Sequence, residues 1–186
     1  DYNGAYGLFF KGQMYDSCCR IPLIVKPPRC ACPGERRPQI VNLLDLHGTI
    51  LDAAGDEGWQ QRGIEARSLD PLLQNERAEW ENQTWAIIGE RSEANLTMLR
   101  RDHIKLIRLA RGVEDALYEL YDLHDVIPEV RNVYRDSAYA AERAAMQAEL
   151  DVWQRTQAGK YPSRIVSYRI GADSLGGASA AGKRRD

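Results

Sequence analysis

Trp85-Ala86-Ile87-Ile88, Leu96-Thr97-Met98-Leu99, Ile104-Lys105-Leu106-Ile107-Arg108-Leu109 and Leu117-Tyr118-Glu119-Leu120-Tyr121 are four short apolar runs between residues 85 and 121. Each has strand length, and the third partly alternates. The second and third are separated by Arg101-Asp102-His103, short enough for a hairpin. Four consecutive strands with short connections predict an antiparallel sheet. Downstream, residues 137–156 carry Tyr139, Met146, Leu150 and Trp153 at helical spacing, with Asp136 or Ser137 placed to cap. An apolar helical face after an open sheet is expected to pack against it. From Gly171 onward the chain is Gly, Ala, Ser and basic residues, and it reads as a disordered tail.

Upstream, the pattern changes. Asn42 can cap a helix, and Asp45 three residues on completes a capping-box-like pair. Leu43, Leu44, Ile50 and Leu51 supply its apolar positions, and Gly55 supplies the stop. Gly48 in its interior costs about 1 kcal/mol against Ala. Residues 56–82 read as polar and irregular, with an apolar island at Leu69, Leu72 and Leu73. Ile21-Pro22-Leu23-Ile24-Val25, bounded by Pro27-Pro28, reads as a short buried strand with Pro22 near its start. Residues 26–38 read as a surface loop, and residues 1–20 as loop-like, with Gly4, Gly7 and Gly12.

Composition narrows the classes. The chain has 186 residues, 44% hydrophobic and 28% charged, which suits one ordinary globular core. A formal charge of −2 gives no basic footprint for nucleic acid or an anionic membrane. No apolar run approaches the ~20 residues needed to span a bilayer. The opening Asp1-Tyr2-Asn3-Gly4 is unlike a natural start, so a piece of a longer protein is expected. Four cysteines, Cys18, Cys19, Cys30 and Cys32, cluster early. Their spacing is not that of a zinc site, and ordinary thiols are the favoured reading. A bridge from Cys18 or Cys19 to Cys30 or Cys32 stays open if the protein is exported.

The order of motifs resembles the sulfatases, of the alkaline phosphatase-like superfamily. Gly4-Ala5-Tyr6-Gly7-Leu8-Phe9-Phe10-Lys11-Gly12 resembles the segment that follows that family's Asp-His-Gly or Asp-Asn-Gly metal-binding triplet, with Asp1 as the acidic residue after it. Met14-Tyr15-Asp16 and Arg20-Ile21-Pro22-Leu23-Ile24-Val25 resemble its continuation. The stretch from Leu44 to Gly55 resembles the family's Asp-Leu-x-Pro-Thr helix, with Gly48 in place of Pro and His47 before it. Glu119-Leu120-Tyr121-Asp122-Leu123, with Pro128-Glu129 and Asn132, resembles its signature near the C-terminus, although Val126-Ile127 interrupts the Asp-Pro pair. Tyr6 stands where many members carry His or Arg.

The resemblance implies the C-terminal part of an α/β hydrolase of sulfuric esters. Residues 1–83 would be the end of the catalytic domain, 84–170 an α+β subdomain of four antiparallel strands packed by a helix, and 171–186 a tail. It implies a formylglycine nucleophile and a divalent metal, usually calcium, both upstream. The piece alone is therefore expected to bind neither and to be inactive. Lys11 matches the family lysine that contacts the sulfate. An ammonium there can hydrogen-bond a sulfate oxygen and offset charge as the S–O bond breaks. Tyr2, Asn3 and Tyr6, between the implied metal site and Lys11, are candidate substrate-pocket residues.

No residue is assigned as a metal ligand. Asp122, Asp125 and Glu129 lack the spacing of a calcium loop and read as turn and capping residues. His47 reads as a packed or surface residue, His103 as a solvent-facing turn residue and His124 as ordering a turn; none is assigned to catalysis. The substrate class is a small-molecule or carbohydrate sulfate ester. Alternatives are a phosphonate monoester or phosphodiester hydrolase of the same superfamily, or a non-catalytic α+β interaction module. Compartment and oligomeric state have no signature in these residues.

Overall fold

Strands β1 (Gln83–Ile88), β2 (Ala94–Arg101), β3 (Ile104–Arg111) and β4 (Asp115–Asp122) pair in sequence order as one antiparallel sheet. The structure, a computed structural model, describes residues 2–27, 33–63, 65–75, 77–88, 94–111, 115–125 and 127–160. Asp1, Cys30, Cys32 and the tail lie outside the described residues. Register pairs Trp85 with Leu99, Leu99 with Leu106, and Leu106 with Leu120. The expected hairpin is present. Its turn is Asp102-His103, tighter than the three residues read from sequence, and Asp102 takes a left-handed φ of 49°.

Alternation assigns the two faces. On one face Leu99, Ile104, Leu106 and Leu120 are buried with Val133, Met146 and Leu150. Met146 and Leu150 belong to the long helix that covers this face. We number the helices α1 (Asp16–Cys19), α2 (Leu43–Ala53), α3 (Asp70–Gln74) and α4 (Ala140–Lys160). Helix α4 is preceded by a 3-10 turn, Ser137–Tyr139, whose N-cap Asp136 accepts from Ala138 N–H at 3.0 Å. Trp153 of α4 stacks on Trp85 of β1 with ring centroids 6.2 Å apart. Each fully enclosed leucine here stabilises by roughly 1.5–3 kcal/mol.

The opposite face carries Leu96, Met98, Lys105, Ile107 and Tyr121, and Met14 is buried with its apolar members. The N-terminal arm, not a helix layer, covers this face. Both faces of β2 and β3 are thus closed, so Leu96 to Leu99 and Ile104 to Ile107 are buried without a break.

Helix α2 starts as expected. Leu44 N–H donates to Asn42 Oδ1 at 3.1 Å, and Asn42 N–H donates to Asp45 Oδ2 at 2.8 Å, a complete capping box. Gly55 follows with a φ of 76°. Residues 56–82 are less irregular than read. They hold a 3-10 turn at Trp59–Arg62 and helix α3, and Trp59, Leu69 and Leu72 are buried. The 21–25 run differs from its reading. It belongs to no strand, and Ile21, Leu23 and Ile24 are exposed. Among the described residues no strand lies beside it to bury it.

Candidate functional site

Residues 2–12 form a loop closed at its base. Tyr2 N–H donates to the Phe10 carbonyl at 2.8 Å, and Gly4 N–H to the Leu8 carbonyl at 2.9 Å. Closure in so few residues forces left-handed backbone at Asn3 (φ 47°), Tyr6 (φ 55°) and Phe10 (φ 66°), as well as at Gly4 and Gly12. For non-glycine residues this conformation costs on the order of 1–2 kcal/mol each. Such strain persists where surrounding contacts over-determine it, and it concentrates at functional sites.

Lys11 lies at the foot of this loop, exposed, between the 80% exposed Phe10 and Gly12. Asn3 is exposed as well. Tyr6 is 44% exposed, but both it and Tyr2 contact Tyr15. Tyr2 is buried, its ring edge-on to Tyr15 at 6.3 Å, and Tyr6 packs on Tyr15 at 5.1 Å. Tyr15 brings these two candidates together. Burial, followed by the neighbouring Cys18, holds the Tyr2 hydroxyl protonated well above the ordinary range. Burial and then the Glu129 carboxylate raise Tyr6.

Tyr15 carries the loop onto the sheet. Its ring meets Tyr121 edge-on at 6.0 Å. Both hydroxyls donate to Glu119 Oε2, at 3.0 and 3.1 Å. Burial and this carboxylate raise both phenols, so they remain donors. Beside them is a buried ionic cluster. Lys105 Nζ donates to Glu129 Oε1 at 2.6 Å, to the Met14 carbonyl at 3.2 Å and to Asp16 Oδ1. Glu129 Oε2 accepts from Asp16 N–H at 2.6 Å, and Tyr6 OH makes a long 3.4 Å contact with it. The side chains of Lys105 and Glu129 are 1% and 0% exposed, so neither charge has water as an alternative.

Lys105 is the residue that sequence reasoning missed. Its signal is a cation inside Ile104-Lys105-Leu106-Ile107, a run otherwise suited to burial on both faces. A lysine there requires a buried carboxylate, and Glu129 of the resemblance motif supplies it. Glu129 has a left-handed φ of 61°, so the turn is bent to present it. Glu129 thus acts as a buried counter-ion rather than the turn or capping residue expected.

Cys18 and Cys19 are free and half-buried, and burial raises the Cys19 thiol above its ordinary range. His47 is exposed on α2. His103 is half-buried and stacks on the exposed His124 with centroids 4.2 Å apart, a pairing absent from the sequence reading. The carboxylates that the arm meets, Asp16 and Glu129, both bind Lys105. They do not offer the open oxygen set that a hard cation such as calcium needs, so the divalent metal that the resemblance implies does not fit these residues.

With this geometry in place, comparison with known proteins is specific. Residues 4–156 match the family described as N-sulphoglucosamine sulphohydrolase, C-terminal. The chain is 28% identical over 159 residues to N-acetylglucosamine-6-O-sulfatase of Bacteroides thetaiotaomicron, covering 82% of this chain and 28% of that protein. It is 31% identical over 134 residues to arylsulfatase K of Xenopus laevis, covering 67% and 24%. It is 32% identical over 82 residues to steryl-sulfatase of Mus musculus, covering 43% and 13%. The chain therefore spans about a quarter of the length of the first two relatives.

Proposed function

The chain belongs to the N-sulphoglucosamine sulphohydrolase C-terminal family, and on that premise we propose that it is the C-terminal part of a sulfatase that hydrolyses a sulfate ester. The observation that carries this reading is the family match over residues 4–156, which takes in the loop with Lys11. A carbohydrate or other small-molecule sulfate ester is the substrate class, in keeping with the relatives' names. In this reading residues 1–83 complete the catalytic domain and 84–170 form a supporting subdomain. The resemblance implies a formylglycine and a divalent metal, calcium the first to test, which would lie outside this chain and would supply the nucleophile and charge stabilisation.

This chain's own contribution is a positioned ammonium. Lys11 donates to a sulfate oxygen, and Asn3 at the same loop's surface is a second polar contact. Tyr2 and Tyr6 act one step back, fixing the loop on Tyr15. The base closed by the Tyr2–Phe10 hydrogen bond and the Lys105 cluster beneath it limit loop motion. Such fixing matters because a small displacement of a charge contact forfeits much of its value in the transition state.

The test is Lys11→Ala in the full-length enzyme, assayed on an aryl sulfate. We expect kcat/KM to fall at least tenfold, equivalent to about 1.4 kcal/mol of transition-state stabilisation. An unchanged value would remove Lys11 from the site.

A further inference from the structure

We propose that His103, Asp122 and His124 form a binding site for a zinc-like divalent transition metal. One ligand atom from each of the three side chains lies within 4.8 Å of the others. Two chain segments bring them together at one end of the sheet. His103 is in the β2–β3 turn, and Asp122 ends β4 opposite Ile104, with His124 two residues on. Leu123 N–H donates to the His103 carbonyl at 2.7 Å and ties the two turns at backbone level.

The carboxylate is already oriented. Asp122 Oδ1 accepts from His124 N–H at 2.9 Å, and Oδ2 accepts from Tyr139 OH at 2.9 Å. An outer hydroxyl that fixes a ligating carboxylate is the kind of partner that tunes metal affinity. The two imidazoles lie face to face, 4.2 Å apart and 10° from parallel. Tetrahedral ligand atoms about 2.0–2.1 Å from zinc lie about 3.4 Å from one another. Parallel rings aim their in-plane lone pairs side by side rather than at one point, so binding requires the exposed His124 ring to rotate out of the stack about its χ angles, with His103 and Asp122, both half-buried, in place.

The donor set selects the ion. Two imidazoles and one carboxylate suit zinc, with nickel, cobalt and copper as relatives, and suit calcium or magnesium poorly. Three protein ligands leave one position for water. A bound ion would join the β2–β3 turn to the segment after β4, and through Tyr139 to the start of α4.

The test is titration of the 186-residue chain with Zn2+ by calorimetry and with Co2+ by visible absorption. We expect one ion per chain, a cobalt spectrum without a thiolate charge-transfer band, and a raised unfolding temperature with Zn2+. His103→Gln and His124→Gln should each weaken Zn2+ binding at least tenfold, while His47→Gln leaves it unchanged. Tyr139→Phe should weaken it several-fold. His124 is exposed, so His124→Gln is read on a folded protein even if a change at Asp122 or His103 disturbs the turns. No binding overturns the proposal. So does affinity indifferent to both histidine variants, or a thiolate band that disappears in Cys18→Ser or Cys19→Ser.

Discussion

The sheet with its long helix, residues 83–156, and the segment before it, residues 2–82, are stabilised by different means. In the first, burial follows strand and helix period, and Leu99, Leu106, Leu120, Met146 and Leu150 interdigitate in one apolar layer. In the second, several large apolar side chains are exposed in this chain, which spans about a quarter of its relatives' length, among them Phe9, Phe10, Ile24, Leu43 and Ile50. Polar contacts there supplement a small buried apolar group of Trp59, Leu69 and Leu72. Asp45 is 2% exposed and is met by the Asn42 and Arg67 backbone N–H groups and by the Arg67 guanidinium at 2.8 Å. Arg67 also lies 4.1 Å over the Trp80 ring. The difference teaches that on the α4 side of the sheet local change costs in proportion to volume. The earlier segment depends in addition on a few charged and capping atoms.

The contact between the two regions is the most sensitive point of that comparison. Glu129→Ala leaves Lys105 charged and buried beside Asp16 alone. We expect a loss of about 3–5 kcal/mol in urea unfolding. Replacing the pair together, Lys105→Met with Glu129→Leu, should recover only part of it, because the buried charge is removed but the Asp16 N–H and carboxylate and the Met14 carbonyl lose their partners. If Glu129→Ala costs under 1 kcal/mol, the arm is not held by this cluster and the two regions are independent.

A second way to break the comparison lies inside the earlier segment. A Cβ at Gly48 would sit 2.7 Å from Trp59 Cη2 and 3.0 Å from the Arg67 carbonyl. Gly48→Ala should therefore destabilise by roughly 1–3 kcal/mol through overpacking. Helix propensity alone predicts a gain of about 1 kcal/mol, so the sign of the thermal shift decides. The smallest expected effect is at the cap. Asn42→Ala removes the capping bond and the 2.8 Å bond from Asn42 Nδ2 to Thr84 Oγ1. A loss of about 0.5–2 kcal/mol is expected by denaturant titration. No loss would mean that Asp45 and Arg67 hold the start of α2 by themselves.

How much was legible follows from the range of each interaction. The strand runs at 85–121 and the cap at Asn42 and Asp45 were readable because period and capping are local. The face of α4 through Met146, Leu150 and Trp153 was readable for the same reason. The 21–25 run pairs with no strand among the described residues, because an apolar run shows what could be buried, not which segment supplies the partner. Gly48 was readable only as a cost, since the Trp59 ring that occupies its missing side chain comes from a later turn. Lys11 was singled out through resemblance, whereas Lys105 sat unremarked inside a strand run.

The sequence alone determined the period of each element, the helix start and stop, and the membership that the motif order announced. Tertiary structure decided what covers the second face of the sheet. Lys105 meets Asp16 and Glu129, and His103 meets His124, through contacts between segments far apart in the chain. Local preference is set by a few neighbouring residues and survives in the linear text. A buried charge or a paired imidazole takes its partner from whichever segment the fold delivers, and only the folded backbone specifies that.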